Sequence, residues 1–523
     1  MATGAELNYD RNATAEEMAE TIFGDGVEVT DASYTGDWRS SAIYSGGDSL
    51  APGATPSDSG LILSTGRADR YTNSSGDPNR SGSQSSNTKG ENNNSDFNAA
   101  AGTRTYDASY LDVTFVPDGD HITMQFVFAS EEYPEYINSI YQDFVGVWVN
   151  GEFVDVEFGN GDADPGNINS GTNENLFLDN TGDAYNTEMD GLTVTMTLTI
   201  PVNAGEENDL RIGIADVSDS SYDSNLLIAA DSVQSSLVAM TDSTYLKPEG
   251  TKTIDVLSND EAPDGATLTI THINGIAATA GTTVTLTTGQ TVQLNADGTL
   301  ALTGDGDTED FNFTYAVTDG SNTDTGLVNV TSVPCFTAGT RIRTPGGLVP
   351  VEMLAPGDLV CTRDDGPQPL RWTGSRTVPA EGKLAPVLIR EGSLGRHGDL
   401  LVSPRHRVLV SGAMAELLFG EPEVLAAAAD LVNGTGVTRQ PGGTVTYVHI
   451  LFDRHQVVWS EGLATESFLP GPCTSGLLER AALEEICSLF PELDPDTGDG
   501  YSPAARPALK GFEGRLLAAC PAG

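Results

Sequence analysis

The sequence predicts a mainly β protein of several domains, and three observations carry that expectation. Glycine is abundant (58 residues) alongside Thr, Asn and Asp, the composition of short strands joined by turns. Apolar and polar residues alternate through Asp112–Val116 (DVTFV) and His121–Phe128 (HITMQFVF), the period of a half-buried strand. Charge is unevenly placed: residues 1–334 hold 10 basic and 53 acidic side chains, and residues 335–523 hold 16 and 22. The chain changes character at Cys335. Its 523 residues, 38% of them hydrophobic, suffice for about three packed domains.

The first β-unit is expected over residues 1–235. It opens with a short helical run, ATAEEMAETIFG, followed by VEVTDASYTG and GLILSTGRA. Thr72–Asn98, rich in Ser, Asn and Gly, is expected to pack little. Strands resume at YLDVTFVPDGDHITMQFVFASEEYPEY. Within it, Glu131 and Glu132 are adjacent, and neighbours in a strand point to opposite faces. Structural hydrogen bonding or calcium ligation is therefore expected of them before paired acid–base catalysis. FASEEYPEYINSIYQDFVGVWVNG, with the upstream GLILSTG, resembles the choice-of-anchor L domain of bacterial surface proteins. That resemblance implies a location more than a chemistry.

Residues 240–333 form a second β-unit. TIDVLSNDEAPDGATLTITHING, VQLNADGTLAL and FNFTYAVTDGSNTDTGLVNVTSV have sandwich-like strand spacing with Asp-Gly and Asn-Asp turns. The unit resembles the cadherin-like, immunoglobulin-type repeats of bacterial adhesins. In that resemblance Asn259, Asp260, Asp264 and Asp319 match acidic turn positions able to ligate calcium, and turn geometry alone also accounts for them.

The third unit, residues 335–470, begins at Cys335 with CFTAGTRIRTPGGLVPVEMLAPGDLVCT, and continues through LLVSPRHRVLV and YVHILFDRHQVVWSEG. A cysteine heading a β-rich segment, with histidines on two later strand-like runs, suits attack on the peptide bond just before it. Thiolate is the strong nucleophile among common side chains, and imidazole moves the proton. These runs resemble the Hint family (hedgehog autoprocessing domains and inteins) in the form found in secreted bacterial proteins. The resemblance implies that Cys335 attacks the carbonyl of Pro334, so that residues 1–334 become a thioester. It places His406 at the histidine of the family's T-x-x-H motif, written here Ser403-Pro404-Arg405-His406, as donor to the leaving nitrogen. His455 falls at a second family histidine, and Asp453, two residues earlier on the same strand face, is expected to orient it. His397 and His449 match no catalytic position and are read as structural, and Cys361 as a buried strand residue.

Splicing inteins end in His-Asn, whereas the corresponding end here is GLATESF. Cleavage or transfer without splicing is the expected outcome. The acceptor is open among water, a thiol, an amine and a glycan hydroxyl. No cofactor is required for that chemistry.

After residue 471 the pattern turns helical: TSGLLERAALEEICSLF sets apolar residues near one helical face. The tail, 471–523, is expected either to cap the third unit or to bind export machinery. The five cysteines (335, 361, 473, 487 and 520) form no C-x-x-C pair, which argues against zinc and against a disulfide framework.

The net charge of −49 argues against nucleic acid and against polybasic membrane attachment. No apolar run reaches membrane-spanning length. The acidic start, MATGAELNYDRNATAEEMAE, lacks the basic and apolar parts of a signal peptide. Together with the resemblances, the expectation is a surface or secreted protein exported without a cleaved N-terminal signal, binding a surface or matrix ligand. The alternative is a non-enzymatic adhesin or matrix protein whose Hint domain is inactive.

Overall fold

A computed structural model describes residues 2–154, 158, 162–244, 246, 250–263, 265–305, 311–330, 335–380, 385–470, 486–493, 500–509, 514 and 517. It divides into two compact units, one built chiefly from residues 1–329 and one chiefly from residues 330–523.

In the first unit the predicted helix forms over Ala15–Ile22. Thr14 starts it: its hydroxyl accepts the Glu17 N–H while the Glu17 carboxylate accepts the Thr14 N–H, so two otherwise unpaired amides are satisfied reciprocally. Met18, Ala19 and Ile22 face the core. Two antiparallel sheets then stack. One runs in the order Asn8–Asp10, Ser41–Ser45, Ser59–Ser64, Ser224–Ala229, His121–Ser130, Gly191–Thr193, Phe177–Asp179. The other runs Val27–Thr35, Thr105–Pro117, Asn208–Val217, Phe144–Val149, Glu152–Phe153. Leu63, Phe126, Phe128 and Leu226 from the first meet Leu111, Val113, Val147 and Ile212 from the second.

The HITMQFVF strand is buried on both faces, not half-buried. Phe126 and Phe128 enter the inter-sheet core, while Val127 and Ala129 enter a second cluster with Tyr44, Tyr71 and Met189. Part of the cover on that side comes from the Thr72–Asn98 segment, which packs against the sheet after all. Its backbone bonds to side chains across the unit: Arg80 N–H to Glu188, Ser86 N–H to Asp223 and Lys89 N–H to Asp37. A polar composition here marks a segment held by hydrogen bonds, not one free of contacts.

The second β-region also forms two sheets. One carries Thr323–Val330, Phe311–Thr318, Thr269–Ile273 and Ile276–Ala277 in that order, the other Leu300–Thr303, Thr291–Leu294 and Thr283–Thr285. Phe313, Tyr315, Val317 and Val328 are buried between them.

The C-terminal unit is built on two six-stranded antiparallel sheets. The first runs Trp372–Pro379, Thr444–Leu451, Phe336–Thr337, Leu400–Val402, Val387–Ile389, Val437–Arg439. The second runs Gly347–Pro350, Arg341–Thr344, Val457–Ser460, Leu463–Glu466, Arg407–Ser411, Glu423–Ala427. Phe336, Ile342, Val387, Leu400, Val408, Ile450 and Val458 fill the core. Cys361 ends the strand Leu359–Cys361 and is half-buried, a correction to the expected buried position.

Most of the expected tail helix, residues 471–485, lies outside the described residues. Ile486–Leu489 is a helical turn, and Ile486 packs with Leu493 on Trp372, Leu451 and Phe468. Residues 500–506, in the Pro-rich link that follows the helical run, form turns and bends, and 507–509 are extended. They lie along Leu425, whose N–H donates to the Pro507 carbonyl and whose carbonyl accepts the Leu509 N–H. Pro507 has no N–H and holds its φ, which favours this extended path over a helix. Among the described residues no helix is long and apolar enough to cross a membrane.

Candidate active site around Cys335

The site follows from register. Phe336 pairs with Val402 on one side and Val448 on the other, both antiparallel. One residue back along that ladder, Cys335 stands opposite Ser403 and opposite His449. The contacts agree: the Cys335 N–H donates to Ser403 Oγ at 2.8 Å, the Ser403 N–H donates to the Cys335 carbonyl at 2.9 Å, and Cys335 Sγ lies 3.4 Å from His449 Nε2. Cys335 is 6% exposed, among Ala380, Val445 and Tyr447. Its N–H belongs to the peptide bond that would be cut. Pro334, on the acyl side of that bond, lies outside the described residues.

His449, read from the sequence as structural, is thus the histidine in contact with the thiol. Its ring is walled by Phe468, with centroids 5.4 Å apart, and by Trp372 at 6.5 Å. The signal for it was present in YVHIL, but only the register shows that the histidine faces Cys335.

His406 is fully buried. Its ring lies 4.2 Å, centroid to centroid, from Phe336, and neither nitrogen has a hydrogen-bond partner. Burial pushes its pKa down to about 4, with Glu466 pulling the other way. It is neutral at neutral pH.

His455 is held elsewhere in the site. The Ala505 N–H donates to its Nδ1 at 2.9 Å, which puts the ring proton on Nε2, facing the Ser467 carbonyl at 3.2 Å and Glu466 Oε2 at 3.5 Å. Asp453 does not orient it. Strand structure stops at Leu451 and restarts at Val457, so the same-face rule does not apply between them, and Asp453 turns outward to Arg371 at 2.9 Å. The carboxylate beside His455 is Glu466, which sequence reasoning missed. Burial alone would raise its pKa, but contact with His455 and the charge of Arg407 outweigh that and hold it below the usual range. Its Oε1 also accepts the Arg407 N–H at 2.8 Å. His397 is structural as expected, bonded to the Leu394 N–H and the Gly398 carbonyl.

Of the residues expected to hold calcium, Asn259 and Asp260 lie beside the buried carboxyl of Asp242. Asp319 Oδ1 accepts the N–H groups of Ser321 and Asn322, both at 2.8 Å, and those bonds hold its pKa low. This is turn geometry. Asp260 accepts the Met240 N–H and the Tyr315 hydroxyl, and Asn259 is exposed. Asp264 lies outside the described residues. Among the described residues, the group of three His, Cys, Asp or Glu ligand atoms within 4.8 Å of one another is Asp120, His121 and Glu261, and it includes none of these.

Comparison with known proteins adds to this geometry. The family model described as Hint domain matches residues 334–472. The C-terminal unit carries a Hint domain. Upstream of it, the choice-of-anchor L domain model matches residues 6–234 and the bacterial Ig domain model residues 234–331. Among solved structures, the chain is similar to the Msm DnaB1 intein splicing domain bound with zinc and to the MchDnaB-1 intein. Each is 16% identical and covers 25% of this chain and 98% of its own, with a TM-score of 0.18. No curated protein matches the chain. Within the Hint domain, Cys335 is the second matched residue, and Ser403, His406, His449, His455 and Glu466 all fall inside the match.

Proposed function

We propose that the Hint domain breaks the Pro334–Cys335 peptide bond once, in cis, through an N-to-S acyl shift without splicing, in a protein exported to the cell surface or beyond. The observation that carries this reading is the pairing of one residue with two partners: Cys335 N–H on Ser403 Oγ at 2.8 Å and Cys335 Sγ 3.4 Å from His449 Nε2. His449 takes the thiol proton, and Sγ attacks the carbonyl carbon of Pro334. As the C–N bond breaks, the nitrogen of Cys335 keeps its hydrogen and gains a second proton, becoming a free amine. Ser403 marks that nitrogen. His406, a weak base once buried, passes on readily any proton it receives from the thiol side. Residues 1–334 are then a thioester on Cys335. A nucleophile, water in the simplest case, attacks that carbonyl, carries off the acyl group and returns the proton to sulfur.

His455 and Glu466 serve the second step in this reading, since an imidazole held through Nδ1 by a backbone N–H and set beside a carboxylate is suited to activating the incoming nucleophile. The end of the domain supports cleavage over splicing, because Thr465-Glu466-Ser467-Phe468 offers no asparagine to cyclise. The choice-of-anchor L match suggests a surface or extracellular protein, and the release or attachment of that part is the reading's biological consequence.

Intact-mass analysis tests it. Incubation with a thiol or hydroxylamine is expected to yield residues 1–334 and 335–523 as separate species, and Cys335→Ala is expected to yield neither while melting as the parent does. A mass that stays whole under every nucleophile overturns the reading in favour of an adhesin with an inactive Hint domain.

A further inference from the structure

The sheet of the choice-of-anchor L domain ends in buried oxygens that the protein leaves without donors. Ser224 pairs with Ser130 and Asn225 with Ala129. The next rung sets Asp223 against Glu131, and the Glu131 N–H donates to the Asp223 carbonyl at 3.2 Å. Residues paired across a ladder share a face, and side chains alternate along each strand. Glu131, Asp223 and Asn225 therefore lie on one face, the one on which Val127, Ala129 and Leu227 are buried.

Glu131 is 0%, Asn225 1% and Asp223 5% exposed. Neither carboxylate oxygen of Glu131 makes a hydrogen bond, nor does Asp223 Oδ2 or Asn225 Oδ1. The Gln84 amide lies near enough to Glu131 to favour its charge, but outside hydrogen-bond geometry. The other polar atoms of the set are engaged: Asp223 Oδ1 accepts the Ser86 N–H at 2.6 Å, and Asn225 Nδ2 lies 3.0 Å from Met189 Sδ. The open atom of each residue is an oxygen. Asp190 and Glu188 add negative charge nearby, Glu188 already paired with Arg80 and Asp190 Oδ1 held by Asn79 Nδ2. Arg70 favours the charge of Asp223, but the groups that act on Glu131 are other carboxylates and the Gln84 amide. Burying oxygens without donors is costly, and a bound cation lowers that cost.

We propose that Glu131, Asp223 and Asn225 are the side-chain ligands of a calcium ion beneath the Asn79–Ser86 segment. Two carboxylates and an amide oxygen, with no nitrogen or sulfur, suit a hard cation. Calcium accepts irregular oxygen geometry and completes its shell with backbone carbonyls or water. Magnesium demands a regular octahedron and gives up water reluctantly, which a buried setting penalises. The site is separate from the turns at Asn259, Asp260 and Asp319, and it does not depend on the Hint chemistry.

The test uses the full chain with Cys335→Ala, which keeps it in one piece. Calorimetric titration with CaCl2 is expected to show one ion bound per chain. The melting temperature is expected to rise with CaCl2 and not with MgCl2 at equal ionic strength. Glu131→Gln keeps the volume and removes the charge. It is expected to weaken calcium binding at least about tenfold while melting no lower than its calcium-free parent. Asp223→Asn is expected to weaken binding similarly, and Asp319→Asn to leave it unchanged. Full-strength calcium binding in both site variants overturns the proposal. So does a parent chain that calcium leaves unmoved while Glu131→Gln stabilises it, the behaviour of a carboxyl that is merely protonated.

Discussion

At Cys335 two cross-strand neighbours meet the two atoms of the proposed cleavage: Ser403 Oγ accepts the Cys335 N–H, and His449 Nε2 lies beside the sulfur. His449→Ala is expected to slow thioester formation by about 10²–10⁴-fold, the usual worth of a positioned proton-transfer group. Single-turnover release of residues 1–334 under excess thiol measures it. His406→Ala is expected to block release even with strong thiols. His455→Ala should still form a thioester that thiol can cleave, with hydrolysis by water slowed. Equal loss in all three under thiol would reject this division of roles. Ser403→Ala removes one hydrogen bond worth about 1 kcal/mol, so roughly a fivefold slowing is expected. Cys335, Ser403, His406 and His455 were legible in the sequence because motif spacing survives in one dimension. His449 and Glu466 were not, because what qualifies each is its neighbour across a sheet.

Among elements, segment 500–509 stands out because it bonds to His455, a residue of the candidate site. It meets His455 at two points, Ser502 Oγ accepting the His455 N–H at 2.7 Å and Ala505 N–H donating to Nδ1 at 2.9 Å. Arg506 anchors the same stretch to Glu423 at 2.9 Å and Asp364 at 2.8 Å. Ala505→Pro deletes the donor to Nδ1 and leaves that nitrogen buried without a partner, at a cost of about 1–3 kcal/mol. The expected result is a shift of the His455 tautomer, read from imidazole 15N chemical shifts in the Cys335→Ala background, and slower hydrolysis of the thioester in the otherwise native chain. An unchanged tautomer would show that the Ser467 carbonyl alone holds the ring. The periodic residues end at Leu489, and the working stretch is a proline-containing strap whose role comes from the surface it lies on.

Across the molecule, the acidity concentrated before Cys335 is in part interior. Asp324 is fully buried on the Thr197 hydroxyl and the Ala239 and Thr325 N–H groups, and burial pushes its carboxyl up to about 7. Burial also drives Asp143 and Asp216 up as a pair, and Glu131 up to about 10. In each case the folded state binds a proton that the unfolded state has released above the ordinary carboxylate range. Stability without calcium should therefore fall as pH rises from about 4 towards 7. His406, held at about 4, opposes this between about 4 and 6.5, but it is one group against several. The expected outcome is a calcium-free melting temperature that drops between about pH 5.5 and 7.5. Calcium should flatten that slope by keeping Glu131 charged. A slope of opposite sign would contradict the assignment of these carboxyls as protonated.

The sequence by itself determined the mainly β class, the change of character at Cys335 and the candidate site residues Cys335, Ser403 and His406, because composition, strand period and motif spacing are local properties. It also determined the helix at Ala15, since a capping box needs only four residues. Only the tertiary structure decided that the Thr72–Asn98 segment packs, that Asp453 faces solvent while Glu466 faces His455, and that His449 meets the thiol. Each depends on contacts that spacing in the sequence does not encode. For His449 a β-ladder joins residues 114 positions apart, and a shift of one residue in its register would turn it to the other face of the sheet.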